Sequence, residues 1–121
     1  MAKTIMIVDD ANSMRGLVAM TLRNAGYTVV EACDGRDALD KISAQKVNMV
    51  VTDFNMPNMN GIELITALKA DALYKFLPIV MLTTESEDGK KKQGQLAGAK
   101  AWIVKPFKPE TMLMVVKKII G

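Results

Sequence analysis

The chain has 121 residues, of which 50% are hydrophobic and 24% charged, with a net charge of +3, one cysteine and no histidine. That size and balance suit a single domain with a real core; Cys33 alone excludes an internal disulfide, and the lack of histidine excludes Ser-His triads, His-ligated metals and any phosphohistidine on this chain. No apolar run approaches the roughly 20 residues of a membrane span and the first apolar segment is too short for a signal peptide, so the reading is a cytoplasmic domain over residues 1–121 without membrane insertion.

The run TIMIV, Thr4–Val8, is apolar and β-branched and ends at Asp9 and Asp10. Met14, Leu17, Val18 and Leu22 then recur at helical spacing within residues 13–25, and Gly26 is placed to stop that helix. Residues 27–32 predict a second strand, followed by a turn at Asp34 and Gly35. Asp34 is the candidate cap of the next helix, whose buried stripe is Ala38, Leu39 and Ile42. The stretch MVVTDFNMPNMNG, residues 49–61, runs from a strand buried on both faces into a carboxylate and then a loop. Asp53 arrives where that strand should end, exposed at its carboxyl end, and Asn55, Pro57, Asn58, Asn60 and Gly61 supply turn chemistry.

Ile62, Leu64, Ile65 and Leu68 mark a third helix to about residue 72. Residues 79–82 form a fourth apolar run, with Pro78 tolerated at its start, and lead to Thr83, Thr84 and Glu85. The polar segment 86–95 contains Gly89 and Gly94, so the fourth helix should be the weakest, short or mobile. Its basic run Lys90, Lys91 and Lys92 reads as a solvated helix face in preference to a nucleic-acid patch. AWIV, residues 101–104, is the fifth strand and ends at Lys105 and Pro106. Pro109 suits the first turn of a last helix with Met112, Val115, Val116 and Ile119 on one face.

Strands that alternate with helices, and that are mostly continuous apolar runs, predict an α/β domain. It should be a three-layer, doubly wound sandwich around a parallel five-stranded sheet. The second strand is the candidate edge. In such a sheet the carboxyl ends of the strands lie on one side, where ligands bind. That side would receive Asp9, Asp10, Asp53, Thr83 and Lys105. Three carboxylates there repel one another unless cations intervene; Lys105 supplies one charge, and with no histidine or cysteine at hand a hard ion such as Mg2+ suits the remainder. A metal, a lysine and a threonine hydroxyl around Asp53 are what phosphoryl transfer to its carboxylate needs. Each residue alone has an ordinary reading: Asp9 and Asp10 as caps, Thr83 and Thr84 as strand and turn residues, Lys105 as a surface lysine, Trp102 as packing. Their convergence favours a joint site.

The chain resembles the receiver domain of bacterial two-component response regulators over essentially its whole length. The matching motifs are IMIVDD at residues 5–10, D-x-x-M-P-x-M-x-G from Asp53 to Gly61, Thr83, and K-P-F from Lys105 to Phe107. The resemblance implies a flavodoxin-like (βα)5 fold with strand order 2-1-3-4-5. It also implies that Asp53 is the phosphoacceptor, that Asp9, Asp10, Asp53 and the Asn55 carbonyl hold Mg2+, and that Thr83 and Lys105 contact the phosphoryl group. The donor would be a histidine on a partner kinase, the Lys105-Pro106 bond would be cis, and Asn55 and Glu85 would tune the phosphate lifetime. Thr83 would move toward the phosphoryl group and Trp102 would swing inward, changing the surface around the fourth helix, fifth strand and fifth helix. Such a domain is a signalling phosphoacceptor and not an enzyme acting on other substrates.

Within the family, ACDGRDAL, FNMPNMNGIELI and VKPF are most similar to the chemotaxis members. This implies a stand-alone monomer without a DNA partner that docks on the flagellar motor switch when phosphorylated, with a phosphatase as a further partner. Trp102 stands where tyrosine or phenylalanine is common, and the fourth helix is more polar than the chemotaxis docking face. The alternative is therefore a phosphate sink or phosphorelay carrier that does not bind the motor. From other classes, a small Mg2+-dependent phosphohydrolase with an Asp nucleophile would want Asp-x-Asp after the first strand and a cap domain. A flavin module would want a better phosphate loop than Ala11-Asn12-Ser13.

Overall fold

The computed structural model describes residues 3–84 and 88–121. Among them, strands and helices alternate as β1 (Thr4–Val8), α1 (Asn12–Asn24), β2 (Thr28–Ala32), α2 (Gly35–Ile42), β3 (Met49–Asp53), α3 (Gly61–Ala70), β4 (Ile79–Thr84), α4 (Asp88–Ala97), β5 (Ala101–Lys105) and α5 (Pro109–Ile120). The strands form one parallel sheet in the order β2-β1-β3-β4-β5. The expected α/β architecture, flavodoxin-like order and edge position of β2 are all observed.

Because side chains alternate across a strand, each apolar run feeds two cores. Met6, Val8, Val50, Ile79 and Met81 face the cluster built by Ala38 and Ile42 of α2 and by Leu64, Ile65 and Leu68 of α3. Ile5, Ile7, Met49, Val51, Val80, Leu82 and Ile103 face Val18 and Leu22 of α1 and Met112 and Val116 of α5. This is why strands that look uniformly apolar give three layers, with helices on both sides of the sheet.

Several local expectations are corrected. Leu17 is 44% exposed, whereas Val18 and Leu22 are buried. Met14, Val18 and Leu22 follow one stripe at i, i+4 and i+8, and Leu17 lies about 100° round the helix from Val18. The third helix stops at Ala70, before residue 72, because Asp71 takes an extended conformation and its carboxylate accepts the Leu73 N–H at 2.8 Å. β4 runs on to Thr84, since its ladder with β5 continues through Thr83↔Val104 and Thr84↔Lys105.

The fourth helix is not short: α4 has 10 residues, as many as α3. Gly89 has open space around it, but a Cβ on Gly94 would collide with the Met81 methyl and lie 3.0 Å from its sulfur. Gly94 therefore lowers helix propensity and at the same time lets α4 lie close against β4. Propensity alone registered only the first effect.

Candidate functional site

The carboxyl ends of β1, β3, β4 and β5 deliver their polar residues to one edge. Asp9, Asp10 and Asp53 have carboxylate oxygens all within 4.8 Å of one another. Lys105, the last residue of β5, donates from Nζ to Asp53 Oδ1 at 2.8 Å and lies 3.7 Å from Asp9 Oδ2. Its peptide bond to Pro106 is cis, as the resemblance implied. Thr83, on β4, is buried beside β3 and β5.

Local hydrogen bonds aim these groups. Asp9 Oδ1 accepts the Ala11 N–H at 2.9 Å, and the Asp9 N–H donates to the Ala32 carbonyl at 3.1 Å, which ties the end of β1 to β2. Arg15 donates to the Asp9 carbonyl at 2.7 Å and to Asn12 Oδ1 at 2.6 Å, and its Nε pairs with Glu31 at 3.3 Å. Asp53 Oδ1 also accepts the Phe54 N–H at 2.9 Å. Two buried polar atoms, Asp9 Oδ2 and Thr83 Oγ1, have no hydrogen-bond partner among the described residues. Such atoms are costly unless a ligand satisfies them.

Asp53 was expected to be exposed, and it is only 8% exposed. It still belongs to the ladder, opposite Leu82, and Lys105 covers its carboxylate. Burial raises its carboxyl above the ordinary carboxylate value; the hydrogen bond and charge of Lys105 oppose the rise, and the charge of Asp9 adds to it. The site thus combines an excess of carboxylate, one ammonium and an unsatisfied acidic oxygen. That donor set fits a hard divalent cation with oxygen ligands, Mg2+ foremost.

Trp102 is 37% exposed and lines a cleft of about 450 Å3 with Pro106, Phe107 and Thr111, on the outer side of β5. It is therefore not directed into the acidic site. Asn55 follows Asp53 in the β3–α3 loop, at the same edge. Glu85 lies outside the described residues. Cys33 is exposed and free. Among the described residues no helix is long and apolar enough to cross a membrane.

Two features of the site's surroundings escaped the sequence reading. Asp34 does cap α2, its Oδ1 accepting the Asp37 N–H at 2.8 Å, but its Oδ2 also accepts from Asn58 Nδ2 at 2.9 Å. Arg15, to which the sequence reading assigned no part, braces the turn that carries Asp9. The asparagine at position 58, in a segment rich in turn residues, is the local signal that the sequence offers; in the structure it takes a left-handed backbone with φ 66°, a conformation asparagine tolerates.

A parallel sheet of this order, with acids and a lysine gathered at one edge, is the frame of a phosphorylation-controlled signalling module. The chain belongs to the response regulator receiver domain family, whose sequence profile matches residues 5–117. It is 38% identical over 116 residues to the chemotaxis protein CheY of Pseudomonas aeruginosa, an alignment covering 95% of this chain and 94% of that protein. It is equally 38% identical over 118 residues to the phosphate regulon transcriptional regulatory protein PhoB of the same organism, covering 98% of this chain and 52% of PhoB. Among solved structures, the chemotaxis protein CheY4 of Vibrio cholerae superposes with a TM-score of 0.94 at 42% identity, covering 99% of this chain and 100% of that one. The chain is a receiver domain of the CheY type.

Proposed function

We propose that this receiver is a stand-alone, Mg2+-dependent phosphoacceptor in a chemotaxis pathway, phosphorylated on Asp53 by the phosphohistidine of a partner kinase. The observation that carries the reading is the Asp53 carboxylate, 2.8 Å from Lys105 and clustered with Asp9 and Asp10 at the strand ends. Asp9, Asp10, Asp53 and the Asn55 carbonyl would hold the cation. When bound, it neutralises the negative charge that develops on transferred phosphoryl oxygens.

The chain's own residues perform the remaining tasks. Burial and Lys105 hold the Asp53 carboxylate in one orientation, with Oδ1 already occupied by Phe54 N–H and Lys105. Lys105 passes from an Asp53 partner to a counter-charge for the phosphoryl oxygens, since its three donors allow both contacts. Thr83 Oγ1, without a hydrogen-bond partner among the described residues, is the donor available to a phosphoryl oxygen, and in this reading Thr83 moves toward it. In this reading Asn55 and Glu85 set the phosphate lifetime. Trp102 responds through β5, which carries both it and Lys105.

The output surface in this reading comprises α4, β5 and α5, on which Leu96 is 80% and Met114 64% exposed alongside Trp102. Its partner is the flagellar motor switch. Incubation with acetyl phosphate and Mg2+ tests the chemistry: the chain should gain the mass of one phosphoryl group, and Asp53→Asn should not. The absence of an adduct in the wild type would sink the reading. Binding of the phosphorylated form to a flagellar switch peptide tests the output, and affinity no higher than that of Asp53→Asn would leave the chain a phosphate sink.

A further inference from the structure

The proposed chemistry uses Asp9, Asp10, Asp53 and Asn55, and assigns no part to Asp34 or Asn58. Yet Asp34 is buried, and its two carboxylate oxygens serve two different elements. Oδ1 caps α2 through the Asp37 N–H, and Oδ2 accepts from Asn58, 24 residues further along the chain in the β3–α3 loop. These hydrogen bonds, from Asp37 first and then Asn58, hold the Asp34 carboxyl below the ordinary carboxylate value, which keeps it an acceptor at neutral pH.

A second contact runs beside the first. The Gly35 N–H donates to the Met59 carbonyl at 3.3 Å, and a Cβ on Gly35 would lie 2.6 Å from Met59 Cγ and 2.9 Å from its carbonyl oxygen. The close approach of the loop to α2 therefore needs glycine at position 35. At its base the loop is closed by the Gly61 N–H donating to the Phe54 carbonyl at 2.9 Å, and a Cβ on Gly61 would collide with the Asp53 carbonyl. Asn58 is the one non-glycine residue with positive φ among those described. Residues 54–61 are thus anchored at the base on β3 and near the tip on α2. Asn55 sits between the anchors, three residues before Asn58.

We propose that the Asp34–Asn58 hydrogen bond is a clasp that positions the β3–α3 loop, and through it the Asn55 carbonyl, for the divalent cation. Both are positioning residues, distinct from the proposed ligands. The inference rests on the Mg2+ reading above. A loop free at its tip spreads the Asn55 carbonyl over several orientations, and the cation then has to select one, which weakens binding. The same pair links cation occupancy to the N-terminus of α2.

The test is a calorimetric titration of Mg2+ into the full chain, with urea unfolding in EDTA measured in parallel. Asn58→Gly keeps the left-handed backbone accessible and removes the amide. The double exchange Asp34→Asn with Asn58→Asp reverses the bond: the new amide at 34 donates to the new carboxylate at 58, its oxygen still caps α2, and the net charge is unchanged.

Asn58→Gly should weaken Mg2+ binding by about fivefold, a fraction of the roughly 10- to 150-fold that a whole hydrogen bond to a charged acceptor is worth, because only the part coupled to the cation is read. The exchange should return affinity to within about twofold of the wild type. A merely structural role predicts a lower unfolding midpoint with unchanged Mg2+ affinity, and that result overturns the clasp. So does an exchange variant as weak as Asn58→Gly, and so does a wild-type chain that binds no Mg2+. A wild type that binds Mg2+ but forms no adduct with acetyl phosphate sinks the phosphoacceptor reading alone, while the affinities still decide the clasp.

Discussion

Replacing Asp53 with asparagine should stabilise the Mg2+-free protein at neutral pH and destabilise it relative to wild type once Mg2+ is added. With carboxylate oxygens no more than 4.8 Å apart, the Asp9 repulsion is worth at least about 3.5 kcal/mol at an effective dielectric constant of about 20, and the Lys105 attraction at 2.8 Å about 6 kcal/mol. Asp10 adds a repulsion smaller than that of Asp9 because it is exposed. The repulsions therefore offset more than half of the Lys105 attraction. Burial decides the sign, and it is the largest influence on the Asp53 carboxyl. Asparagine keeps an oxygen for the Phe54 N–H and Lys105 but carries no charge to desolvate.

The gain should be about 1–2 kcal/mol, or roughly 5 °C in Tm for a chain of this size, in EDTA at pH 7. The pH dependence has a definite sign. The native Asp53 carboxyl is raised, so as pH climbs through the carboxylate range the unfolded chain loses its proton first and the wild type loses stability relative to Asp53→Asn. The difference should vanish in acid below that range. Saturating Mg2+ at about 100 times its Kd adds about 2.7 kcal/mol to the wild type and much less to the variant, reversing the order. Scanning calorimetry with and without Mg2+ reads both effects. A variant less stable than wild type in EDTA at pH 7 would refute the balance of burial over the Lys105 attraction, and a ranking that Mg2+ leaves unchanged would refute the metal.

Three further outcomes follow from particular contacts. Thr83→Val removes a buried hydroxyl that has no hydrogen-bond partner among the described residues, so urea unfolding should show a gain of about 1 kcal/mol. The Asp53 adduct should still form in this variant, while the accompanying change in Trp102 fluorescence is lost. Gly61→Ala drives a Cβ into the Asp53 carbonyl and to 3.1 Å from Phe54 Cα, backbone atoms that have no rotamer to yield, so stability should fall by about 2 kcal/mol. Asn60 and Glu63 form a capping box, with the Glu63 N–H at 2.9 Å from Asn60 Oδ1 and the Asn60 N–H at 3.0 Å from Glu63 Oε1. Asn60→Ala should cost about 1 kcal/mol in urea unfolding, whereas Asn60→Asp should stay near wild type.

The sequence by itself determined the alternation of strands and helices, because apolar period and length distinguish a buried strand from an amphipathic helix without reference to neighbours. It also determined which residues stand at strand ends, and in a parallel sheet strand ends share one edge; Asp9, Asp53, Thr83 and Lys105 were therefore legible as one constellation. Tertiary structure alone decided the rest. Asp53 became a buried carboxylate because β5 places Lys105 over it, and Leu17 fell outside the core because the stripe through Val18 and Leu22 meets the sheet. Gly94 changed from a helix weakness into a packing position because Met81 of β4 lies beneath it. Asp34 looked like an ordinary cap, since its bond to Asn58 joins residues 24 apart whose proximity no local pattern encodes. Periodicity reports which face of an element is apolar; what a polar atom touches depends on which elements meet.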